Sequence, residues 1–262
     1  MTFDEQESVV SRKNAFLIHL SLSALVVGTV ILLVVMFWYP APWMQVIGAA
    51  SILGVLVSVD LIVGPCLTLL LYRPGKPGVI FDLCMIGLVQ LAALVYGVHT
   101  VYQERPYYVV FVKDRFEVLA YKDVNAQDIK DEALRIKAWR QPVMAIASLP
   151  ADSVARNRVL EETLFEGKPD IHARPEFWSP YADSTAEVLA GSKSIDELLA
   201  WRPDLAAELG ADVSSDKFVY APVMGRKRVF SLILDKYTAQ PVRLIDIDPW
   251  EAASADKQLA RN

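Results

Sequence analysis

Cysteine is nearly absent, with Cys66 and Cys84 alone in 262 residues. Both lie in apolar sequence, so no disulfide framework braces the C-terminal part. Histidine is as scarce, and His19, His99 and His172 are too scattered for a metal-ligand pattern. No glycine-rich phosphate loop, nucleophile elbow or zinc-type spacing occurs. An enzyme would have to draw on residues scattered along the chain, so no catalysis, cofactor or small-molecule substrate is expected. There is no basic stripe and the net charge is −5, which argues against a nucleic-acid partner.

The most informative shortage is of charge in one region. Between Ala15 and Tyr102 stand four charged residues, Asp60, Arg73, Lys76 and Asp82. From Gln103 to Asn262 there are 48, of which 22 are basic and 26 acidic. What is present is therefore apolar sequence, 53% of the chain, concentrated in the first part. Mean hydropathy is +0.30. Two solvents are implied: lipid for residues 15–102 and water for residues 103–250, a stretch long enough to bury its own core.

The apolar part divides into three runs. The first, from Ala15 to Tyr39, follows Arg12-Lys13 and ends in Phe37-Trp38-Tyr39-Pro40. It is too long for the apolar core of a signal peptide and lacks a small-residue cleavage site, so it reads as a retained span with an aromatic anchor. The second run starts at Trp43 and continues to Tyr72; the third goes from Val79 to Tyr102. Arg12, Lys13, Arg73 and Lys76 fall on one side, and the turn at 38–43 carries no charge. The positive-inside rule then puts the N-terminal tail, residues 1–14, in the cytoplasm. Three crossings put the C-terminal domain in the periplasm of a Gram-negative cell.

Downstream, Pro106–Val112 and Arg115–Tyr121 flank Lys113-Asp114 and read as a hairpin. Residues 125–139 carry a helical pattern with Asn125 as cap, Val143–Ala147 reads as a strand, and 151–166 as a helix stopped by Gly167. Ser184 with Glu187 and Ser194 with Glu197 form capping-box patterns, and Pro203 begins a short helix that ends at Gly210. Three β-rich runs close the chain, at 218–223, 229–234 and 242–247, before a loose tail at 251–262. The fold class expected is a three-helix transmembrane bundle followed by a small α+β domain with a mainly antiparallel sheet.

Asp60 is the residue that needs an explanation, because a carboxylate is poorly solvated in hydrocarbon. It lies 13 residues before Arg73, about 19–20 Å along a helix, and Gln90 lies 12 after Gly78, about 18 Å along the next. Antiparallel neighbours place the two at one depth. Gly64-Pro65 interrupts the helix just beyond, and Pro65 leaves a carbonyl near Leu61 without its donor. An interhelix clamp, a proton site and a docking point for another helix are all open for this group. Cys66 and Cys84 also share a depth, but six residues turn a helix by about 240°, so only one pair can face inward. The cysteines are expected as packing residues. Asp82 is expected to pair with the basic turn, and Arg226-Lys-Arg228 to be an ordinary charged hairpin. Asp246-Ile-Asp248 puts two carboxylates on one side of a strand, a weak calcium or acid–base signal.

The residues Ala15-Phe-Leu-Ile-His-Leu20, Trp38-Tyr-Pro40, Val59-Asp60, Gly64-Pro65-Cys-Leu-Thr68, Pro74-Gly-Lys76, Asp82, Gln90-Leu-Ala-Ala-Leu-Val-Tyr-Gly97, Arg105-Pro106 and Asp114-Arg-Phe-Glu-Val118 resemble type IV pilin accessory proteins of the TfpX/TfpZ kind. The resemblance covers residues 15–120; beyond them only overall length matches. It implies an inner-membrane protein that accompanies the major type IV pilin and promotes its assembly or balanced retraction, with no catalytic activity. The small residues Gly54, Gly64, Ala92, Ala93 and Gly97 offer close-approach surfaces to a pilin helix held in the bilayer. A small proton-linked transporter using Asp60 and a membrane-tethered periplasmic enzyme are the alternatives.

Overall fold

A computed structural model of the chain describes residues 10–39, 42–135, 142–209 and 214–251. These residues form two compact units. The first holds the described residues up to Phe37 together with Ala49–Gln103; the second holds Trp38–Gly48 and the chain from Glu104 onward.

The first unit contains three helices long and apolar enough to cross a membrane. The first is α1, Arg12–Phe37. After α2, Trp43–Ile47, which lies in the other unit, the second consists of α3, Ala49–Ser58, a π-helical turn at Val59–Val63, and α4, Gly64–Leu71. The third is α5, Val79–Gln103. The apolar run expected to be continuous from Trp43 is broken at Gly48, where φ is +72°. That left-handed turn suits glycine and closes α2 as a separate piece. At the basic end, the Arg12 guanidinium donates to the carbonyls of Leu69 and Leu70, the last turn of α4. A cation on exposed C-terminal carbonyls is favourable in both hydrogen bonding and dipole terms. Lys76 pairs with Asp82 at 2.5 Å, as expected of that turn.

The second unit is built on one mixed, mostly antiparallel sheet. Its strands are β1 Pro106–Val112, β2 Arg115–Ala120, β3 Val143–Ala147, β4 Trp178–Pro180, β5 Lys193–Ser194, β6 Phe218–Met224, β7 Val229–Asp235 and β8 Pro241–Ile245. The order is β4-β3-β1-β2-β6-β7-β8, with β5 on β6. Pairs β1–β3 and β2–β6 are parallel and the others antiparallel. Residues 108–112 of β1 are all buried, since core lies on both faces. Val109 and Phe111 join one cluster with Phe116, Val223 and Phe230; Tyr108, Val110 and Val112 join another with Ala145, Val159 and Trp178. This is the two-residue period of a strand read directly in the packing. Flanking helices are α6 Ser153–Phe165, α7 Thr185–Gly191, α8 Ile195–Trp201 and α9 Leu205–Leu209.

The helix expected over 125–139 is not formed across its described part. Two single 3-10 turns, Ala126–Asp128 and Glu132–Leu134, take its place, and 136–139 lie outside the described residues. Asn125 does cap, accepting from the Gln127 amide, but Asp131 accepts from Ala133 and starts a new turn. Such side-chain bonds to nearby backbone compete with a continuous helix. The Ser184 box also fails: Ser184 caps nothing and Glu187 accepts from the Ser148 hydroxyl instead. Ser194 caps α8, and Glu197 turns to the Tyr220 hydroxyl. Gly210 and the tail from 252 lie outside the described residues.

Candidate functional site

Asp60 is the second residue of the π-helical turn in the second span. The Gly64 amide donates to the Val59 carbonyl, five residues back rather than four. In that wider register the partner of the Asp60 carbonyl would be residue 65, and Pro65 has no N–H. The vacated carbonyl is therefore that of Asp60, one residue before the Leu61 position expected from an unbroken α-helix. Gln90 fills the place: its Nε2 donates to the Asp60 carbonyl at 3.2 Å and reaches Oδ1 at 3.5 Å. The expected common depth of Asp60 and Gln90 thus appears as direct contact.

Gly64 makes the approach possible. A Cβ at that position would stand 2.0 Å from Gln90 Nε2. Asp60, Gly64, Pro65 and Gln90 form one node, and each residue type has a separate reason to be there. Asp60 is 4% exposed, and its second oxygen, Oδ2, is buried without a hydrogen-bond partner in the structure. Polar atoms left so in a dry setting are costly.

Asp60 also borders two grooves of the bundle. The larger, about 410 Å³, runs between the second and third spans and is walled by Ile52, Val55, Leu56, Ala93, Tyr96 and Gly97. The smaller, about 280 Å³, lies between the first and third spans and includes His19, Ser23 and Gln90. Thr68, two turns beyond Asp60 on the second span, has its Oγ1 2.5 Å from Nδ1 of His19 on the first. Residue type alone does not single out Thr68, but depth counted from the basic ends matches it to His19, because Thr68 lies five residues before Arg73 and His19 seven after Arg12.

Other sequence candidates separate from this node. Cys66 and Cys84 are free and exposed, so they face outward rather than packing inside, and the inward positions go to Asp60 and Gln90. His99 is exposed, while His172 lies in the second unit, 3.9 Å from Asp170. Among the described residues no group of His, Cys, Asp or Glu is placed to hold a metal ion. Asp246 and Asp248 lie beyond the end of β8, so they do not share a strand face. Asp246 pairs with Arg228 at 2.9 Å, and Asp248 caps the Trp250 amide. Arg226 pairs with Glu104 and Asp123.

The second unit has two features that composition does not show. The connector 38–48 is part of it: Trp43 and Val46 are buried in the cluster of Phe111 and Phe230, and the Arg226 amide donates to the Val46 carbonyl at 3.2 Å. Burial and the nearby Glu104 charge raise the Tyr39 phenol above its ordinary value. The other feature is Glu162, which lies 3.0 Å from Lys168 and 2.9 Å from Arg174. Lys168 first, then Arg174, hold its carboxyl below the ordinary value.

Comparison with known proteins gives the family. The model of the fimbrial assembly protein FimB matches residues 7–48. The fimbrial assembly protein of Dichelobacter nodosus serogroup I is 26% identical over 90% of this chain and 93% of its own length. That of serogroup E1 is 25% identical over 89% and 94%. That of serogroups C1 and C2 is 33% identical over 44% of this chain and 86% of its own length. No solved structure matches the chain. The chain belongs to the fimbrial assembly protein family, in keeping with the type IV pilin accessory proteins that its membrane-region motifs resemble.

Proposed function

We propose that this protein is a non-enzymatic accessory factor of type IV pilus biogenesis that holds the apolar helix of the membrane-resident pilin and promotes its assembly. The observation that carries this is the intramembrane node. A carboxylate 4% exposed keeps one oxygen unpartnered beside a groove of about 410 Å³. Groove walls include Ala93 and Gly97 of the third span, and a Cβ at Gly54 of the second span would meet nothing within 4 Å. Small residues of this kind let helix backbones approach in lipid, where packing and polar contacts must replace the hydrophobic effect. A single buried carboxylate with one amide partner is a sparse provision for a proton pathway, which favours docking over transport.

The N-terminus is cytoplasmic and the second unit periplasmic in this reading. Basic residues gather at one end of the first unit, where Arg12 meets α4 and Lys76 meets Asp82. The connector 38–48 belongs to the same unit as the chain after 104, which supports a layout with both on one side of the bilayer. The soluble domain is then available to the pilin's globular part.

Deletion of the gene in a piliated cell is expected to reduce surface pili severely, with pilin still present in the membrane. Pilin should also co-purify with the full-length protein in mild detergent. Unchanged piliation together with no co-purified pilin would refute the proposal.

A further inference from the structure

Resting on the docking reading above, we infer that the helix seated in the larger groove brings a hydrogen-bond donor to Oδ2 of Asp60. Asp60 sits at residue 12 of the 23 that make up the second span, so it meets mid-membrane rather than headgroups or water. Oδ1 and the backbone carbonyl already face the Gln90 amide, while Oδ2 has nothing. Of the two grooves that Asp60 borders, the smaller already contains Gln90 and His19. The larger contains no other ionisable group except the Tyr96 phenol. That residue is 73% exposed on the groove's outer wall. Thr100 does not compete, because its hydroxyl donates back to the Tyr96 carbonyl.

A lipid acyl chain fills apolar space but offers no donor, so it would leave Oδ2 as it is. A helix that carries a hydroxyl, amide or ammonium group at mid-depth completes the site. The apolar walls Ile52, Val55 and Leu56 then pack the helix, and the carboxylate fixes its depth and rotation. Polar contacts in hydrocarbon specify register more than they add affinity. The ligand class is therefore a transmembrane helix with one donor, and a carboxylate at this position selects against a helix that presents an acid there.

A photo-crosslinking residue at Val55, which is 66% exposed on the groove wall, tests this in the full-length protein within cells that make pilin. The wild-type background is expected to give a pilin adduct. Asp60→Leu is expected to lower its yield about tenfold, the loss of one such contact. Asp60→Asn distinguishes donors within the proposal: yield is kept for a hydroxyl or amide and falls with the Leu variant for an ammonium. A second series leaves this chain intact and changes each polar residue of the pilin's apolar helix to Leu in turn. One position should reproduce the loss and add nothing further when combined with Asp60→Leu. A pilin adduct of equal yield in Asp60→Leu, or no pilin position that reproduces the loss, overturns the donor contact and leaves docking standing. No pilin adduct at all, or an adduct only between copies of this chain, overturns the docking reading itself.

Discussion

In the membrane unit Asp60 is 4% exposed, whereas Phe81 and Tyr96 stand 68% and 73% open. In the soluble unit Phe111 and Phe116 are fully buried and the Glu132 side chain is 72% exposed. Large apolar side chains thus stand open in the membrane unit and are enclosed in the soluble one. The difference follows from the solvent. In water, removal of apolar surface stabilises at about 25 cal/mol per Å², so the sheet core holds itself together. In lipid that term vanishes between helices, and close backbone approach with a few polar contacts must decide the arrangement. In the bundle a contact of that kind joins Asp60 to Gln90 over Gly64, where the soluble unit spreads the work over three apolar clusters.

The largest effect should come from core truncation in the soluble unit, and the connector offers the sharpest case. Trp43 is 7% exposed within the sheet's core. Trp43→Ala is expected to cost about 3–5 kcal/mol, as large-to-small core changes do. The melting temperature of the soluble unit should fall by about 10 °C, followed by limited proteolysis of detergent-solubilised protein. Leu70→Ala in the second span, a position 65% exposed, should move nothing by more than about 0.5 kcal/mol. Equal responses from the two variants would mean that the connector is not part of the soluble core.

Gly64→Val comes next. Its Cβ would enter the space of the Gln90 amide, so Gln90 must leave Asp60 or the helices must part. Overpacking of this sort costs about 1–3 kcal/mol. Gln90→Leu, which removes the hydrogen bonds without the clash, should cost about 0.6–1.7 kcal/mol. Resistance of the helical signal to denaturing detergent measures both. A Gly64→Val protein as resistant as wild type would show that the close approach does not define the bundle.

Much of this organisation was legible in the sequence, for reasons particular to each element. The three spans follow from apolar length, and the β1–β2 hairpin from two β-rich runs around Lys113-Asp114. Asp60 and Gln90 could be matched because helix rise turns residue counts into depth. The π-helical turn was not legible, because no residue type demands it and Pro65 alone is compatible with several registers. Trp43–Ile47 is apolar whether it enters lipid or a protein core, so only the left-handed Gly48 separates it from the span. Residues 125–135 misled because their period suits a helix. Ile129 and Leu134 both enter the cluster with Tyr108, yet five residues would place them about 140° apart on a helix.

Acid titration gives a smaller effect, confined to the soluble side of the comparison. Because Lys168 and Arg174 lower the Glu162 carboxyl in the folded state, the stabilisation they share is present above the ordinary glutamate value of about 4.5. It is lost as pH falls below that value and through the lowered folded one. Glu162→Gln should therefore flatten the loss of stability on acidification and be least different from wild type at the lowest pH. Chemical denaturation at a series of pH values from 7 to 3 measures the slopes, and parallel slopes would rule out this ion cluster as an acid-sensitive tie.

The smallest effect tests how finely turn geometry is set where the soluble sheet begins. Lys113 has φ +57°, between β1 and β2, and the Asp114 amide donates to the Val112 carbonyl at 2.7 Å. Gly191 packs close against the turn, since a Cβ there would lie 2.3 Å from the Lys113 carbonyl oxygen. A lysine in the left-handed region carries a steric cost of about 1–2 kcal/mol. Glycine would relieve it but release about 0.5–1 kcal/mol of extra backbone freedom in the unfolded chain, so the two terms nearly offset. Asparagine tolerates the left-handed region and keeps most of the chain's stiffness. Lys113→Asn is therefore expected to stabilise the soluble unit by about 0.5 kcal/mol, a rise of about 1–2 °C by calorimetry. The same substitution at Lys76, in the basic turn of the membrane unit, removes an ion pair with Asp82 instead of strain and should give no rise. A Lys113→Asn protein that melts lower than wild type would mean that the lysine's stem contributes more through its contacts than its backbone loses.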